Sequence, residues 1–213
     1  FENSKKHKEK IEISLTKNIP SEAGLGGGSS DAGFFLKLLN EHYGNVYNEK
    51  ELEELGMKVG SDVPFFIKNK TARVGGKGNK VELVENNLKD SLILVKPLGF
   101  GVSTKDAYNS FDELDEVRYA NFEKIVECLR NDNRKDLEKY IENGLEQGIS
   151  ERNADIKIFK AILNSVVPGK KFFMSGSGST YYTFVTELEK SQIETRLKTF
   201  VDNVKIIICK TIK

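Results

Sequence analysis

The stretch Gly24–Asp31 reads Gly-Leu-Gly-Gly-Gly-Ser-Ser-Asp and is the part of this 213-residue chain best suited to bind phosphate. Glycine has no Cβ atom, so the backbone N–H groups of such a segment can approach an anion closely. Apolar residues with helical spacing follow it, at Phe35, Leu36, Leu38 and Leu39. The glycines therefore precede a helix N-terminus, where the helix dipole adds about half a positive charge. We predict a polyphosphate-binding loop here.

Two better-known glycine motifs do not match this loop. A Walker A motif places Lys and then Ser or Thr after its last glycine, whereas Gly28 is followed directly by Ser29. The dinucleotide fingerprint requires a glycine three positions after Gly28, where this chain has Asp31.

Other interpretations of the loop remain open. The glycines could form a tight turn without a ligand, and Asp31 could only complement the helix dipole. Ser29 and Ser30 could cap the helix or direct their hydroxyls toward phosphate or Mg²⁺.

Asp62 is the candidate for acid–base chemistry. It follows Gly60, which is expected to end a helix, and precedes Val63 and Pro64. Because proline restricts the residue before it to extended geometry, we expect this segment to hold the carboxylate in a fixed place. The alternative is an Asx-turn with a purely structural role. A free aspartate has a pKa of about 3.9 and is a weak base at neutral pH, so its positioning would count for more than proton abstraction.

The rest of the sequence predicts alternating helices and strands. Before the loop, Ile11, Ile13 and Leu15 alternate with polar residues, as on a half-buried strand. Asn48 and Glu51 predict a capping box that opens a helix ending at Val59. Further short strands are predicted at 65–67, 72–74, 81–84 and 92–95, with a turn at 75–78.

After the glycine-containing segment 97–101, a plausible hinge, the composition shifts toward helices. Apolar residues have helical spacing over 119–130, 135–143 and 155–166. The C-terminal part predicts strands at 172–174, 181–185 and 204–209 and a helix at 189–201. The fold class is therefore α+β, with a first domain over 1–98 and a second α+β domain over 99–213. We expect the loop at Gly176–Gly178 to face the nucleotide site of the first domain.

Composition excludes several classes of partner. The 33 basic and 32 acidic residues give a net charge of +1, which argues against binding of nucleic acid or a membrane surface. No apolar run approaches the roughly 20 residues of a membrane span, and a cytoplasmic enzyme is expected. Cys128 and Cys209 are expected to be buried thiols rather than a disulfide, and with two histidines no His-based zinc site or catalytic triad is expected.

Three blocks, in order along the chain, resemble signatures of the GHMP small-molecule kinases. Pro20–Ala32 resembles the second signature, in the triple-glycine variant of the 4-diphosphocytidyl-2-C-methyl-D-erythritol kinases. Gly60–Phe66 resembles the Gly-Ala/Ser-Asp-Val-Pro-Phe-Phe segment of the same branch. Met174–Thr180 resembles the third signature but has Ser179 where proline is common, which predicts a more mobile loop.

The resemblance implies a two-domain GHMP kinase fold, with an incomplete N-terminal domain like domain 2 of ribosomal protein S5 and a C-terminal α+β domain. It implies ATP and Mg²⁺ as cofactors and Asp62 as the catalytic residue, and it assigns no metal ligand. The implied nucleotide-binding residues are Ala23, Gly24, Leu25, Gly26, Gly27, Gly28, Ser29, Ser30, Gly176, Ser177 and Gly178.

The implied reaction is ATP-dependent phosphorylation of a hydroxyl of 4-diphosphocytidyl-2-C-methyl-D-erythritol, in non-mevalonate isoprenoid precursor synthesis. Such kinases carry a catalytic lysine on a first strand, which is expected upstream of Phe1, so residues 1–213 alone are expected to have little kinase activity. A monomer or weak homodimer is expected. Two alternatives remain: another GHMP kinase acting on homoserine, mevalonate or a sugar, and a non-catalytic nucleotide-binding fragment.

Overall fold

The computed structural model describes residues 10–212, which form two compact units. The first unit contains residues 10–20 and 26–84, and the second contains residues 21–25 and 85–212. The glycine-rich segment therefore divides between the units at the peptide bond that follows Leu25.

Within residues 10–20 and 26–84, the first unit consists of three helices and a β-hairpin. The helices are α1 (Gly27–His42), α2 (Glu49–Val59) and α3 (Val63–Lys68), and the antiparallel strands are β1 (Ala72–Gly75) and β2 (Lys80–Leu83). The core is built from Leu52, Val63 and Ile67, against which half-buried side chains of α1 and α2 pack.

The predicted capping box at the start of α2 is confirmed. The Asn48 side chain accepts a 3.1 Å hydrogen bond from the Glu51 N–H, and the Glu51 carboxylate accepts one of 2.8 Å from the Asn48 N–H. The predicted strands at 72–74 and 81–84 and the turn between them are confirmed as well, with ends shifted by one residue.

Two predicted strands in this unit are wrong. Residues 65–67 lie in helix α3, because Pro64 occupies the first turn, where its missing N–H costs no hydrogen bond. Val63 is helical rather than extended, and together with Ile67, one turn later, it forms the buried face. Residues 11–15 form no strand: Ile13 is 61% exposed, because within residues 10–212 no neighbouring strand pairs with this segment. On α1, Leu38, one of the apolar residues with helical spacing, is also 61% exposed.

The second unit is an antiparallel sheet covered by six helices among the residues described. In chain order its elements are β3 (Ser91–Pro97), α4 (Thr104–Asp112), α5 (Phe122–Arg130), α6 (Arg134–Tyr140), α7 (Gly144–Arg152), α8 (Ala154–Val166), β4 (Phe173–Met174), β5 (Tyr181–Val185), α9 (Glu187–Phe200) and β6 (Val204–Lys210). The strand order is β4-β5-β3-β6, and Ile93 of β3 lies opposite both Thr183 and Ile208.

All the strands predicted in this unit are confirmed, and so are its four predicted helices. Helices α4 and α7 were not predicted, because polar residues and glycines interrupt their apolar spacing. Helix α6 ends at Tyr140 rather than at residue 143, since Asn143 caps α7 by accepting a 3.2 Å hydrogen bond from the Glu146 N–H. Strand β3 pairs inside this unit, and the division into domains at residues 98 and 99 stays a prediction.

The core of the second unit lies between the sheet and helices α7, α8 and α9. Ile93, Ile156, Leu163 and Leu197 are fully buried there, and each such side chain contributes roughly 1.5–3 kcal/mol of transfer free energy.

Cys128 is a buried free thiol and Cys209 a half-buried one, and burial raises the pKa of both thiols. No helix within residues 10–212 is long and apolar enough to cross a membrane.

Candidate active site

The N-terminus of helix α1 is open to an anion in the first unit. Gly26 precedes the helix in the left-handed conformation, at φ 63°, and within the described chain no side chain caps α1. The first backbone bond joins the Ser30 N–H to the Gly26 carbonyl at 2.8 Å. The N–H groups at residues 27–29 precede the first intrahelical donor, and a helix leaves such groups for water or a ligand. The local geometry therefore supports the predicted phosphate-binding segment.

The two serines after the glycines differ in their surroundings. Ser30 is buried, and its Oγ donates a 2.9 Å hydrogen bond to the Gly27 carbonyl. That bond lies within the first turn, so this hydroxyl stabilises the helix start. Ser29 is half-buried. Of the two, Ser29 is the better candidate for a phosphate or Mg²⁺ contact.

The three consecutive glycines are not equivalent. A Cβ atom at Gly26 would lie 2.5 Å from the Phe66 ring, and one at Gly27 would lie 3.0 Å from the Ile19 side chain. Packing and the positive φ thus account for the glycine at position 26. At Gly28 a Cβ atom would meet no described atom within 4 Å. Packing in this unit therefore does not explain Gly28, which leaves space for a ligand.

Lys17 is a cation beside this loop that the sequence reasoning did not identify. Its ammonium group forms an ion pair with Asp31, and its Nζ lies 3.9 Å from where a Cβ of Gly27 would stand. One signal could have identified it: this lysine lies three residues before Pro20, where the glycine-rich block begins. Asp31 thus has a specific partner in addition to the helix dipole.

Asp62 is exposed and lies at the residue that precedes helix α3. Its side chain makes no capping hydrogen bond among the described residues, so the geometry gives no support to the purely structural Asx-turn. The hairpin turn packs against the same segment, because a Cβ at Gly78 would lie 2.0 Å from the Ser61 carbonyl oxygen. The backbone beside Asp62 is therefore held from two sides, while its carboxylate remains accessible.

In the second unit, residues 22–24 pack directly on the loop at 175–179. The Ser175 Oγ donates a 2.9 Å hydrogen bond to the Gly24 carbonyl, and the Ser179 N–H donates one of 3.3 Å to the Glu22 carbonyl. Gly24 has φ 66°, and a Cβ there would lie 1.9 Å from the Ser175 carbonyl oxygen. The structure therefore brings together two of the segments that the sequence singled out.

The loop at 175–179 is held by polar side chains from two neighbouring helices. Asn143 Nδ2 donates 2.9 Å bonds to the carbonyls of Met174 and Gly176. The hydroxyls of Thr104 and Ser177 lie 3.3 Å apart. Ser179, which the sequence associated with a more mobile loop, is fully buried and accepts a 2.8 Å bond from Lys96.

A cavity of about 530 Å³ opens beside this loop in the second unit. Aromatic side chains provide much of its wall, those of Tyr108, Phe111, Tyr119 and Phe122. Ser175 and Gly176 also line it. A planar aromatic ring, such as a nucleobase, matches this lining.

Comparison with known proteins connects these features to a family. The family described as GHMP kinases N terminal domain matches residues 1–70. A 4-diphosphocytidyl-2-C-methyl-D-erythritol kinase of Fusobacterium nucleatum subsp. nucleatum is 80% identical over 212 residues, which cover 100% of this chain and 72% of that protein. The enzyme of the same name from Clostridium botulinum is 35% identical over 189 residues, which cover 86% of this chain and 65% of that protein. The chain thus spans just under two thirds of the clostridial relative.

Solved structures agree on the fold. A crystal structure of 4-(cytidine 5'-diphospho)-2C-methyl-D-erythritol kinase matches 91% of this chain and 68% of its own, with a TM-score of 0.71 and 25% identity. A homoserine kinase from Cytophaga hutchinsonii matches 92% of this chain and 68% of its own, also with a TM-score of 0.71. At 15% identity the second match shows the fold alone. The predicted α+β GHMP kinase fold is confirmed.

Proposed function

Since the chain belongs to the 4-diphosphocytidyl-2-C-methyl-D-erythritol kinase family of GHMP kinases, we propose that it transfers the terminal phosphoryl group of ATP to a hydroxyl of 4-diphosphocytidyl-2-C-methyl-D-erythritol. The observation that carries this proposal is the 80% identity, over the whole chain, to a kinase of that name. The reaction is a step of non-mevalonate isoprenoid precursor synthesis. We further propose a cytoplasmic location, a monomer or weak homodimer, and domains at 1–98 and 99–213.

The glycine-rich segment would hold the phosphates of ATP. The uncapped start of α1 offers backbone N–H groups at residues 27–29, and the helix dipole favours an anion there. The further residues proposed to bind the nucleotide are Ala23, Gly24, Leu25, Gly26, Ser30, Gly176, Ser177 and Gly178. Lys17 lies beside Gly27 and balances the negative charge of Asp31. The backbone dipoles at this uncapped helix start are the groups proposed to attract a polyphosphate.

The residues at this loop fit a magnesium ion that arrives on the nucleotide. Mg²⁺ prefers oxygen ligands and keeps several waters, so one or two protein groups together with phosphate oxygens suffice. Ser29 and Asp31 supply a hydroxyl and a carboxylate at the start of α1. No cluster of three or more His, Cys, Asp or Glu that could hold a metal lies within the described chain. When bound, it would neutralise charge on the phosphates.

Asp62 would orient the substrate hydroxyl and accept its proton. Phosphoryl transfer passes through a loose transition state, so alignment and electrostatics supply most of the rate enhancement. An exposed carboxylate on a backbone held by α3 and by Gly78 is suited to that task. The nucleophile needs only weak activation, since proton transfer occurs late in such a transition state.

The aromatic cavity beside Ser175 is proposed to accept a nucleobase. Both ATP and the diphosphocytidyl substrate carry a planar base, and aromatic walls stack on such rings. Tyr108 is 54% exposed and is the side chain to test, with Tyr108→Phe as the control that keeps the ring. We expect Tyr108→Ala to lose affinity for the ligand that carries the base, and Tyr108→Phe to keep it.

The function is tested in a form of the protein extended to the length of the 80% identical kinase, of which this chain covers 72%. ATP is presented with the diphosphocytidyl compound, homoserine and mevalonate in separate reactions. Phosphorylation of the diphosphocytidyl compound alone, followed by product mass and ADP release, is expected. Phosphorylation of homoserine or mevalonate instead would make the chain another GHMP kinase. Binding of ATP by calorimetry without turnover of any of the three would favour the non-catalytic alternative.

A further inference from the structure

Lys96 is a buried lysine at the end of strand β3, and the reaction proposed above does not use it. It is 5% exposed. Its Nζ donates hydrogen bonds to Ser179 Oγ at 2.8 Å, to the Pro97 carbonyl at 2.9 Å and to the Phe100 carbonyl at 3.1 Å. An ammonium group has three donor hydrogens, so each of them has an acceptor here. The side chain is thus fixed in one orientation, which is unusual for a residue that is almost always exposed.

The charge of Lys96 has no direct counter-ion among residues 10–212. All three of its acceptors are neutral oxygens. Burial lowers the pKa of Lys96, and the negative charge of Glu22 offsets part of that effect. A buried amine without an ion-pair partner is costly to maintain. A purely structural role would be filled at lower cost by an apolar side chain.

Through its hydrogen bond to Ser179, Lys96 supports both residues 22–24 and the loop at 175–179. Ser179, its acceptor, donates its backbone N–H to the Glu22 carbonyl at 3.3 Å and its hydroxyl to the Phe100 carbonyl at 3.4 Å. Glu22 itself has φ 48°, a left-handed conformation that is uncommon for a residue with a side chain. It lies two residues before Gly24. Lys96 therefore supports the point at which residues 22–24 meet the loop at 175–179.

We propose that Lys96 is a positioning residue for phosphate binding: its ammonium group fixes Ser179, thereby holds both loop segments, and places a positive charge next to them. The identity of the ligand rests on the proposed function, because that function supplies a polyphosphate for these segments to hold. A cation in a poorly solvated place attracts phosphate more strongly than the same charge at the surface. The charge should matter for ATP and should not matter for adenosine.

The structural part of the proposal is tested without any nucleotide. Amide hydrogen exchange is measured by mass spectrometry for wild-type protein, Lys96→Met and Lys205→Met. Lys205 is the matched control, because it lies opposite Lys96 on β6 and is exposed. We expect exchange in peptides covering 20–26 and 175–180 to be about tenfold faster in Lys96→Met only. Unchanged exchange in both peptides would overturn the proposal.

A smaller substitution decides the matter if Lys96→Met does not fold. Ser179→Ala removes the hydroxyl that Lys96 contacts and leaves the other two acceptors in place. Faster exchange in the same two peptides supports the proposal, and wild-type exchange there contradicts it.

The charge is tested by calorimetry with ATP and with adenosine as probes. Lys96→Met is expected to weaken ATP binding by roughly tenfold, the effect of one lost charge interaction, with adenosine binding unchanged. Equal losses of affinity for ATP and for adenosine would show that Lys96 has only a structural role. Failure of the wild-type protein to bind ATP would instead overturn the proposed function, and the exchange data would still decide whether Lys96 holds the loops.

Discussion

The Ser175 Oγ donates a 2.9 Å hydrogen bond to the carbonyl of Gly24, a residue 151 positions earlier in the chain. Ser175 belongs to the block Met174–Thr180 and Gly24 to the glycine-rich block near the start of the chain. Gly24 also lies against the Ser175 carbonyl, where no Cβ atom could fit. Two motifs that are far apart in sequence are thus a single packed structure in the second unit.

Gly24→Ala is expected to destabilise the second unit. The new Cβ would stand 1.9 Å from the Ser175 carbonyl oxygen, and φ 66° disfavours any residue with a side chain. We expect a loss of about 1–3 kcal/mol in the free energy of unfolding, measured by urea denaturation. Gly44→Ala is the control, because it has a similar positive φ of 81° but no described atom within 4 Å of the added Cβ. Equal losses in both variants would show that the backbone strain, and not the packing on Ser175, is responsible.

Gly28→Ala is expected to weaken ATP binding without harming the fold. Gly28 lies in helix α1, and a Cβ there would meet no described atom within 4 Å. Alanine is more favourable than glycine in a helix by about 1 kcal/mol. If phosphate binds at residues 27–29, the added methyl group lies in its path, and ATP affinity measured by calorimetry should fall by about tenfold or more. Gly27 is a poorer probe, since a side chain there would also contact Ile19. Unchanged ATP affinity would show that the glycine-rich segment is a tight turn that does not bind phosphate.

Asp62→Asn is expected to lower turnover by about a hundredfold or more and to leave the ATP dissociation constant near wild type. The substitution keeps the shape of the side chain and removes its charge. It is measured in a form of the protein that phosphorylates the substrate, with circular dichroism as the check on folding. The exposed Asp115→Asn in the second unit is the control. Near-normal turnover in Asp62→Asn would leave Asp62 without a role in the reaction.

Gly78→Ala is expected to act on Asp62 from the hairpin. A Cβ at Gly78 would lie 2.0 Å from the Ser61 carbonyl, so either the hairpin turn or the segment carrying Asp62 must move. Displacement of a positioned group by about 1 Å can cost a hundredfold in rate. We therefore expect a lower kcat in Gly78→Ala. Gly75→Ala on the same hairpin is the control, because its Cβ would meet only a side-chain atom at 3.9 Å. Equal kcat values for the two variants would contradict this coupling.

Glu189 is expected to make the second unit sensitive to acid. Burial would raise the pKa of this carboxyl, but hydrogen bonds from the Thr186 backbone and side chain and from Lys170 outweigh that effect and lower the pKa to about 2. Because the folded-state pKa lies below the unfolded value, its contribution is present above pH about 5 and is lost as the pH falls toward 2. Glu189→Gln should flatten the dependence of unfolding free energy on pH in this window. The exposed Glu54→Gln should leave the dependence as in wild type.

Local sequence signals determined much of the secondary structure. The capping box at Asn48, the hairpin with its glycine turn, and strand β5 at Tyr181–Val185 were all predicted, because each is specified by residues close together in the chain. The sequence also predicted a helix directly after the glycine-rich block, and α1 begins at Gly27 within that block. The same motifs indicated the kinase family.

Tertiary structure decided what local patterns left ambiguous. Residues 65–67 were predicted as a short strand, yet they fold as part of helix α3, because Val63 and Ile67 then share one buried face. Ile11, Ile13 and Leu15 alternate like a strand, but alternation specifies a strand only where another strand supplies the hydrogen bonds.

Nothing in the sequence indicated that Lys96 is buried and bonded to Ser179, or that Gly24 packs on Ser175. Lysine is normally exposed, and residues 151 positions apart share no local pattern. Sequence therefore determined the family to which the chain belongs, and it predicted which segments bind phosphate. Only the folded chain decided how those segments are held, because the carbonyls and hydroxyls that hold them are brought together by packing and not by adjacency in the chain.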